Sequence, residues 1–172
     1  SKGSINFKTA HFADIITALF GENIINHQYN ESLDTSFQYE YDKTFAKLSN
    51  FVIKYGDKAA GSGEFMLKNL ANNKEFAVNL EMTQLDLRLF ELIGKDILDN
   101  ARNGQKFADS RLAEYNGIVD IKAAHALYNG AEVLNVNTGL TLQNGLLSIT
   151  RMGLSMPGNT NLRFIGAVNL ND

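Results

Sequence analysis

Residues 116–149 read NGIVDIKAAHALYNGAEVLNVNTGLTLQNGLLSI, and this stretch decides the fold class. Three Asn-Gly pairs punctuate it: Asn116-Gly117, Asn129-Gly130 and Asn144-Gly145. Both residue types tolerate positive φ, which a two-residue type I′ hairpin turn requires. Between the pairs, Leu134, Val136, Leu140 and Leu142 alternate with Asn135, Asn137 and Thr141, the period-two signature of a half-buried strand. Further out, Phe76, Val78, Leu80 and Met82 alternate with Ala77, Asn79 and Glu81. Leu162, Phe164, Val168 and Leu170 do so with Arg163 and Asn169, and Phe37, Tyr39 and Tyr41 with Gln38 and Glu40. Tyr55-Gly56-Asp57 and Met156-Pro157-Gly158-Asn159 add turn chemistry. One apolar and one wet face imply an antiparallel sheet covered on one side. Turns spaced one strand apart imply a meander.

Two segments leave this pattern. From Phe12 to Ile24, apolar residues fall at Phe12, Ile15, Ile16, Leu19 and Phe20, and from Leu85 to Leu98 at Leu85, Leu89, Leu92, Ile93 and Ile97. That spacing predicts two short amphipathic helices. Asn100 to Arg111 is a polar connection. Shifting the chain by about 73 positions lays Ser4-Ile5-Asn6-Phe7 on Ala77-Val78-Asn79-Leu80, and Phe12, Ile16 and Leu19 on Leu85, Leu89 and Leu92. A third start falls at Ala167-Val168-Asn169-Leu170. The chain therefore reads as a repeat-containing fragment with units near 4–76 and 77–166. The expected fold is mainly β with a minor helical part: a highly twisted antiparallel meander, curled into an open groove or half-barrel, with two short helices.

The 172 residues are 44% hydrophobic and 20% charged, with a formal net charge of -3. No basic excess marks a binder that neutralises nucleic-acid phosphates. The absence of cysteine excludes disulfides, thiolate metal sites and Cys nucleophiles. No segment reaches the roughly 18–20 apolar residues of a spanning helix. Ile15 to Ile25 is interrupted by Glu22, and Leu85 to Leu98 by Asp86, Arg88 and Glu91. Ser1-Lys2-Gly3 carries neither an initiator Met nor a signal-peptide pattern, so the chain reads as an excerpt of a longer protein.

Catalytic patterns are sparse. His11, His27 and His125 are the only imidazoles, and none has a partner at metal-ligand spacing. Gly61-Ser62-Gly63 resembles a phosphate cradle, but alternation resumes at Glu64-Phe65-Met66-Leu67 where a helix would be needed, so a hairpin of small residues is expected. Asp34, Glu40, Asp57, Glu64, Glu81, Asp86, Glu114, Asp120 and Glu132 are scattered over polar sites and turns, and nothing selects a glycosidase pair among them. A transmembrane barrel would show aromatic girdles. This chain has no Trp, and its aromatics cluster from Phe37 to Tyr55.

The apolar faces allow two readings. Phe76, Val78, Leu80, Leu134, Val136, Leu140, Leu142, Leu162, Phe164 and Val168 either close into a core or line a trough for acyl chains. Burial contributes about 0.8 kcal/mol per CH₂, so a ten-carbon contact is worth about 8 kcal/mol before entropic costs. Such a site needs no polar constellation.

The order of certain segments resembles the AsmA family. They are Val78-Asn79-Leu80 through Leu85-Asp86-Leu87 to Ile93-Gly94, then Asn129-Gly130-Ala131-Glu132-Val133-Leu134-Asn135-Val136 and Asn144-Gly145-Leu146-Leu147-Ser148-Ile149. Met156-Pro157-Gly158-Asn159-Thr160 and Phe164-Ile165-Gly166-Ala167-Val168 follow. The likeness covers Ser4 to Leu170. It departs at Asn159, where a second Gly is common, and in lacking an anchor helix. The resemblance implies a bacterial inner-membrane-anchored protein whose curled β-sheet projects into the periplasm and helps phospholipid reach the outer membrane. It favours the trough, with the ten residues above as its lining. It also implies no enzymatic activity, no cofactor, no metal and no nucleic acid. The partners would be phospholipid or another acyl-chain ligand, the membrane through an anchor outside this chain, and neighbouring repeats or envelope proteins. A structural module pairing through sheet edges without lipid is the alternative, and a carboxylate hydrolase a third.

Overall fold

The computed structural model describes residues 1–12, 14, 30–71, 73–89, 115–158 and 160–169. Nine strands follow one another: β1 (Lys2–Thr9), β2 (Leu33–Tyr41), β3 (Phe45–Tyr55), β4 (Ala59–Lys68), β5 (Lys74–Leu85), β6 (Tyr115–Tyr128), β7 (Ala131–Gln143), β8 (Leu146–Met156) and β9 (Thr160–Asn169). They form a single sheet in chain order. The sheet is open, with β1 and β9 at its two edges.

The turns follow from side-chain chemistry. Asn129 (φ 51°) with Gly130 (φ 80°) joins β6 to β7, and Asn144 (φ 50°) with Gly145 (φ 77°) joins β7 to β8, both in the doubly positive form that fits strand twist. Between β2 and β3 the Asp42 carboxylate accepts N–H bonds from Thr44 at 2.6 Å and Phe45 at 3.0 Å, closing an Asx turn. Asn116-Gly117, by contrast, lies inside β6 rather than in a turn. Gly117 sits opposite Phe76, where an added Cβ would stand 2.2 Å from the Phe76 carbonyl oxygen. The Asn116 side chain accepts the Asn144 N–H at 2.7 Å and so braces the next hairpin. Both residues are there for close packing between strands.

The all-antiparallel expectation is corrected at one junction. β5 and β6 pair in parallel, from Lys74 opposite Tyr115 to Met82 opposite Ala123. A tight turn can only deliver an antiparallel neighbour, whereas the connection over residues 86–114 is long enough to return the chain to the end where β5 began.

The helical expectation is corrected at Leu85. This residue ends β5 opposite Ala59, and Asp86 continues into a parallel bridge with Leu127. A register shift between Ala60 and Gly61 inserts an extra β5 residue, so Met82 and Leu85 both turn inward. Phe12, Asp14, Arg88 and Leu89 are helical. The remaining positions of both expected helices (13, 15–24 and 90–98) and the polar connection 100–111 lie outside the described residues.

The buried cluster gathers at one end of the strands, from Leu33, Tyr55, Ala59, Met82 and Leu85 across to Ile121, Ala123, Ala126, Val133 and Val136. Phe12, Leu87 and Leu89 pack onto it, with Phe12 edge-on to Tyr55 at 6.1 Å. Among the described residues no large side chain is fully buried, as befits one layer of sheet.

Gly63 shows how tightly β4 approaches β5: a Cβ there would stand 2.1 Å from the Asn79 carbonyl oxygen. At Gly153 the nearest atom would be 4.0 Å away. Gly63→Ala should therefore cost about 1–3 kcal/mol, while Gly153→Ala stays within about 0.5 kcal/mol of the parent. Urea midpoints of the two variants measure the difference, and equal midpoints would contradict the tight approach.

Candidate functional site

The sheet register assembles one apolar face from residues far apart in sequence. Phe76, Gly117, Leu142, Leu147 and Val168 occupy one row of paired positions from β5 to β9. Val78, Val119, Leu140, Ile149 and Gly166 form the next, and Leu80, Ile121, Thr138, Met152 and Phe164 a third. Val136 lies beyond them opposite Ala123, and Leu162 opposite Leu154. Nine of the ten residues expected to line a trough thus hold register positions on one face. Leu134 does not: it pairs with Ser155, in step with Asn137 and Gly153 on the polar face. The positive φ of Asn135 (54°) breaks alternation between Leu134 and Val136, so Val133 and Val136 are both buried while Leu134 turns away.

Exposure along this face is graded. Val136 and Leu142 are buried, and Phe76, Val78, Leu80 and Leu140 are half-buried. At the β9 edge Leu162 is 49% exposed and Phe164 57%. Reasoning from alternation missed Ile121, Ala123, Ala126 and Val133. The three-residue steps Ala123–Ala126 and Val133–Val136, with Asn135 inside the second, were the available signal.

The opposite face is polar and cross-linked by ion pairs. Lys2 meets Glu40 at 2.9 Å, Lys8 meets Asp34 at 2.9 Å, and Arg151 meets Asp120 at 2.7 Å. His125 Nδ1 lies 2.9 Å from Glu132, both on the surface. Pairs this exposed contribute little to stability. Glu64 and Glu81 line a shallow polar hollow with Asn50, Ser62 and Asn79. Glu114 and His27 lie outside the described residues. Gly61-Ser62-Gly63 runs within β4, with no helix after it. Among the described residues no cluster of three or more His, Cys, Asp or Glu could hold a metal ion. No described helix is long and apolar enough to cross a membrane.

Among the described residues Asp86 is the buried charged one, 5% exposed just beyond the end of β5. Arg88 donates to it from Nε at 2.9 and 3.1 Å and from Nη2, and the Arg88 backbone N–H adds a bond at 3.0 Å. These bonds outweigh burial and hold the carboxyl below its ordinary pKa. Hydrogen bonds likewise lower Asp42 and Asp57, chiefly from Thr44 and Lys58 respectively. A carboxylate held ionised in this way suits anchoring rather than proton donation at neutral pH. Asp86 pins the exit of β5 to the Leu127 end of β6.

Comparison with family models, curated proteins and solved structures gives no match.

Because the folded-state pKa of Asp86 is depressed, its contribution is present above the ordinary value of 3.8 and disappears as pH falls through the folded value. Asp86→Asn should lower stability by about 1.5–3 kcal/mol at pH 7. The gap to the parent should narrow below about pH 4. Denaturant unfolding of both proteins between pH 7 and pH 2 measures this, and a gap independent of pH would refute it.

Proposed function

We propose that this chain binds acyl chains along the apolar face of its sheet and serves lipid passage rather than catalysis. The observation that carries the reading is the set of apolar rows crossing from β5 to β9 and ending at exposed Leu162 and Phe164. Five strands at about 4.8 Å spacing give this part of the face a width of about 19 Å, ample for one or two hydrocarbon chains. Bulges shift the register in β2–β3, β3–β4, β4–β5, β7–β8 and β8–β9, and each adds right-handed twist that supports curling of the sheet into a trough. The buried cluster with Phe12, Leu87 and Leu89 closes one end of that trough in this reading. The likeness to the AsmA family supplies the rest of the proposal: phospholipid as cargo, the bacterial periplasm as location, an inner-membrane anchor on the parent protein, and repeated units along it. The placing of long connections after β1 and β5, with short turns elsewhere, supports a four-strand unit.

The sheet edges favour a second reading, in which β1 or β9 takes up a strand from a neighbouring unit or partner protein. Ile165 on β9 is 76% exposed, the largest value among the exposed apolar residues described. Lys2 and Lys8 on β1 and Arg163 on β9 work against indiscriminate pairing of copies, as edge charges do.

Native mass spectrometry of the purified chain should show co-purifying phospholipid. Phe164→Ser combined with Leu162→Ser should weaken binding of a fluorescent long-chain fatty acid about tenfold or more, from about 1.5–3 kcal/mol per lost side-chain burial. Unliganded mass together with unchanged affinity would sink lipid passage, and concentration-dependent oligomers would then favour the edge-pairing reading.

A further inference from the structure

Strands β7–β9 carry a concavity of about 750 Å³, within the roughly 300–1,000 Å³ of ordinary ligand clefts, bordered by polar side chains and by Met152, Leu154, Leu162, Phe164 and Ile165. Its floor is Gly153, paired with Asn137 on one side and Arg163 on the other. With two strand spacings between them, Asn137 and Arg163 stand about 10 Å apart across a residue that has no side chain. The space above Gly153 is open, since the nearest atom to an added Cβ would be 4.0 Å away. Ser155 and Asn161 border the slot and are joined by a 2.8 Å hydrogen bond. Arg151 borders it too, anchored by Nε to Asn137 at 2.9 Å and by Nη2 to Asp120 at 2.7 Å.

Two guanidinium groups therefore share one hollow with four amide or hydroxyl side chains, Asn135, Asn137, Ser155 and Asn161. No carboxylate is among its lining residues, in a chain whose net charge is -3. Arg151 is held in place by its bonds. Arg163 has no hydrogen-bond or ion-pair partner among the described residues. A guanidinium fork matches the paired oxygens of phosphate or carboxylate. Asn and Ser both donate to and accept from hydroxyl groups.

We propose that this slot binds an anionic saccharide, its phosphate or carboxylate held by Arg163 and Arg151 and its hydroxyls by Asn137, Ser155 and Asn161. The polar side chains of the site alternate along β7–β9 with Met152, Leu154, Leu162 and Phe164, which also border the concavity.

The test titrates the isotope-labelled chain with glucose 6-phosphate, glucuronate, glucose and inorganic phosphate, following the Arg163 and Arg151 side-chain N–H signals by NMR. Glucose 6-phosphate or glucuronate should shift both signals and bind at least tenfold more tightly than glucose or inorganic phosphate, and the tighter of the two identifies the anion. Arg163→Gln should weaken that binding at least tenfold and Arg163→Lys less. Gly153→Val should fill the slot and abolish binding with the thermal midpoint nearly unchanged. Silence at both arginines, affinity equal to that of inorganic phosphate, or undiminished binding by Gly153→Val would each overturn the proposal.

Discussion

The parallel ladder between β5 and β6 holds the sheet together as one surface. It is the junction between the strands before the long connection and those after it. On the apolar side the buried cluster straddles it, with Met82 and Leu85 on β5 meeting Ile121, Ala123 and Ala126 on β6. Gly117 lets the backbones close where Phe76 would otherwise collide with a side chain. At the far end Asp86, neutralised by Arg88, bridges to Leu127 and extends the ladder by one step. A buried carboxylate without its partner would carry a desolvation penalty, so this lock depends on Arg88 as much as on Asp86.

A single sheet layer has two faces, and here they are chemically separate. One gathers Leu, Val, Ile, Met and Phe into rows, most of them half-buried. The other gathers Lys, Arg, Asp, Glu and Asn, tied by exposed ion pairs. A second layer covering the apolar rows would make an ordinary core. Among the described residues only Phe12, Leu87 and Leu89 reach the buried cluster from outside the strands. The remaining apolar surface is the physical basis of the proposed acyl-chain binding, and the polar side chains around Gly153 offer a second, chemically different site.

Alternation made most of this legible before any coordinates. Phe76, Val78 and Leu80 share a face because strand side chains have a period of two, and Asn129-Gly130 and Asn144-Gly145 turn the chain because both residues accept positive φ. The same rules failed where an extra residue entered a strand. Asn135 reverses the facing of Leu134, and the extra residue in β5 turns Leu85 inward together with Met82. Asn116-Gly117 carries turn chemistry but serves close strand packing and hydrogen bonding. Bulges and close approaches are set by the neighbouring strand, whose identity a local window does not contain.

The amino-acid order by itself determined a β protein with one oily and one wet face, turn chemistry at its Asn-Gly pairs, and no thiol chemistry. These follow from properties of single residues and their nearest neighbours. Only the tertiary structure decided that β5 and β6 run parallel, that the sheet stays open, and that Leu134 leaves the apolar rows. It alone placed Arg151, Arg163 and Asn137 around one glycine. Each of these depends on pairing between segments distant in the chain, where the geometry of backbone hydrogen bonds, not local pattern, selects the partner and its register.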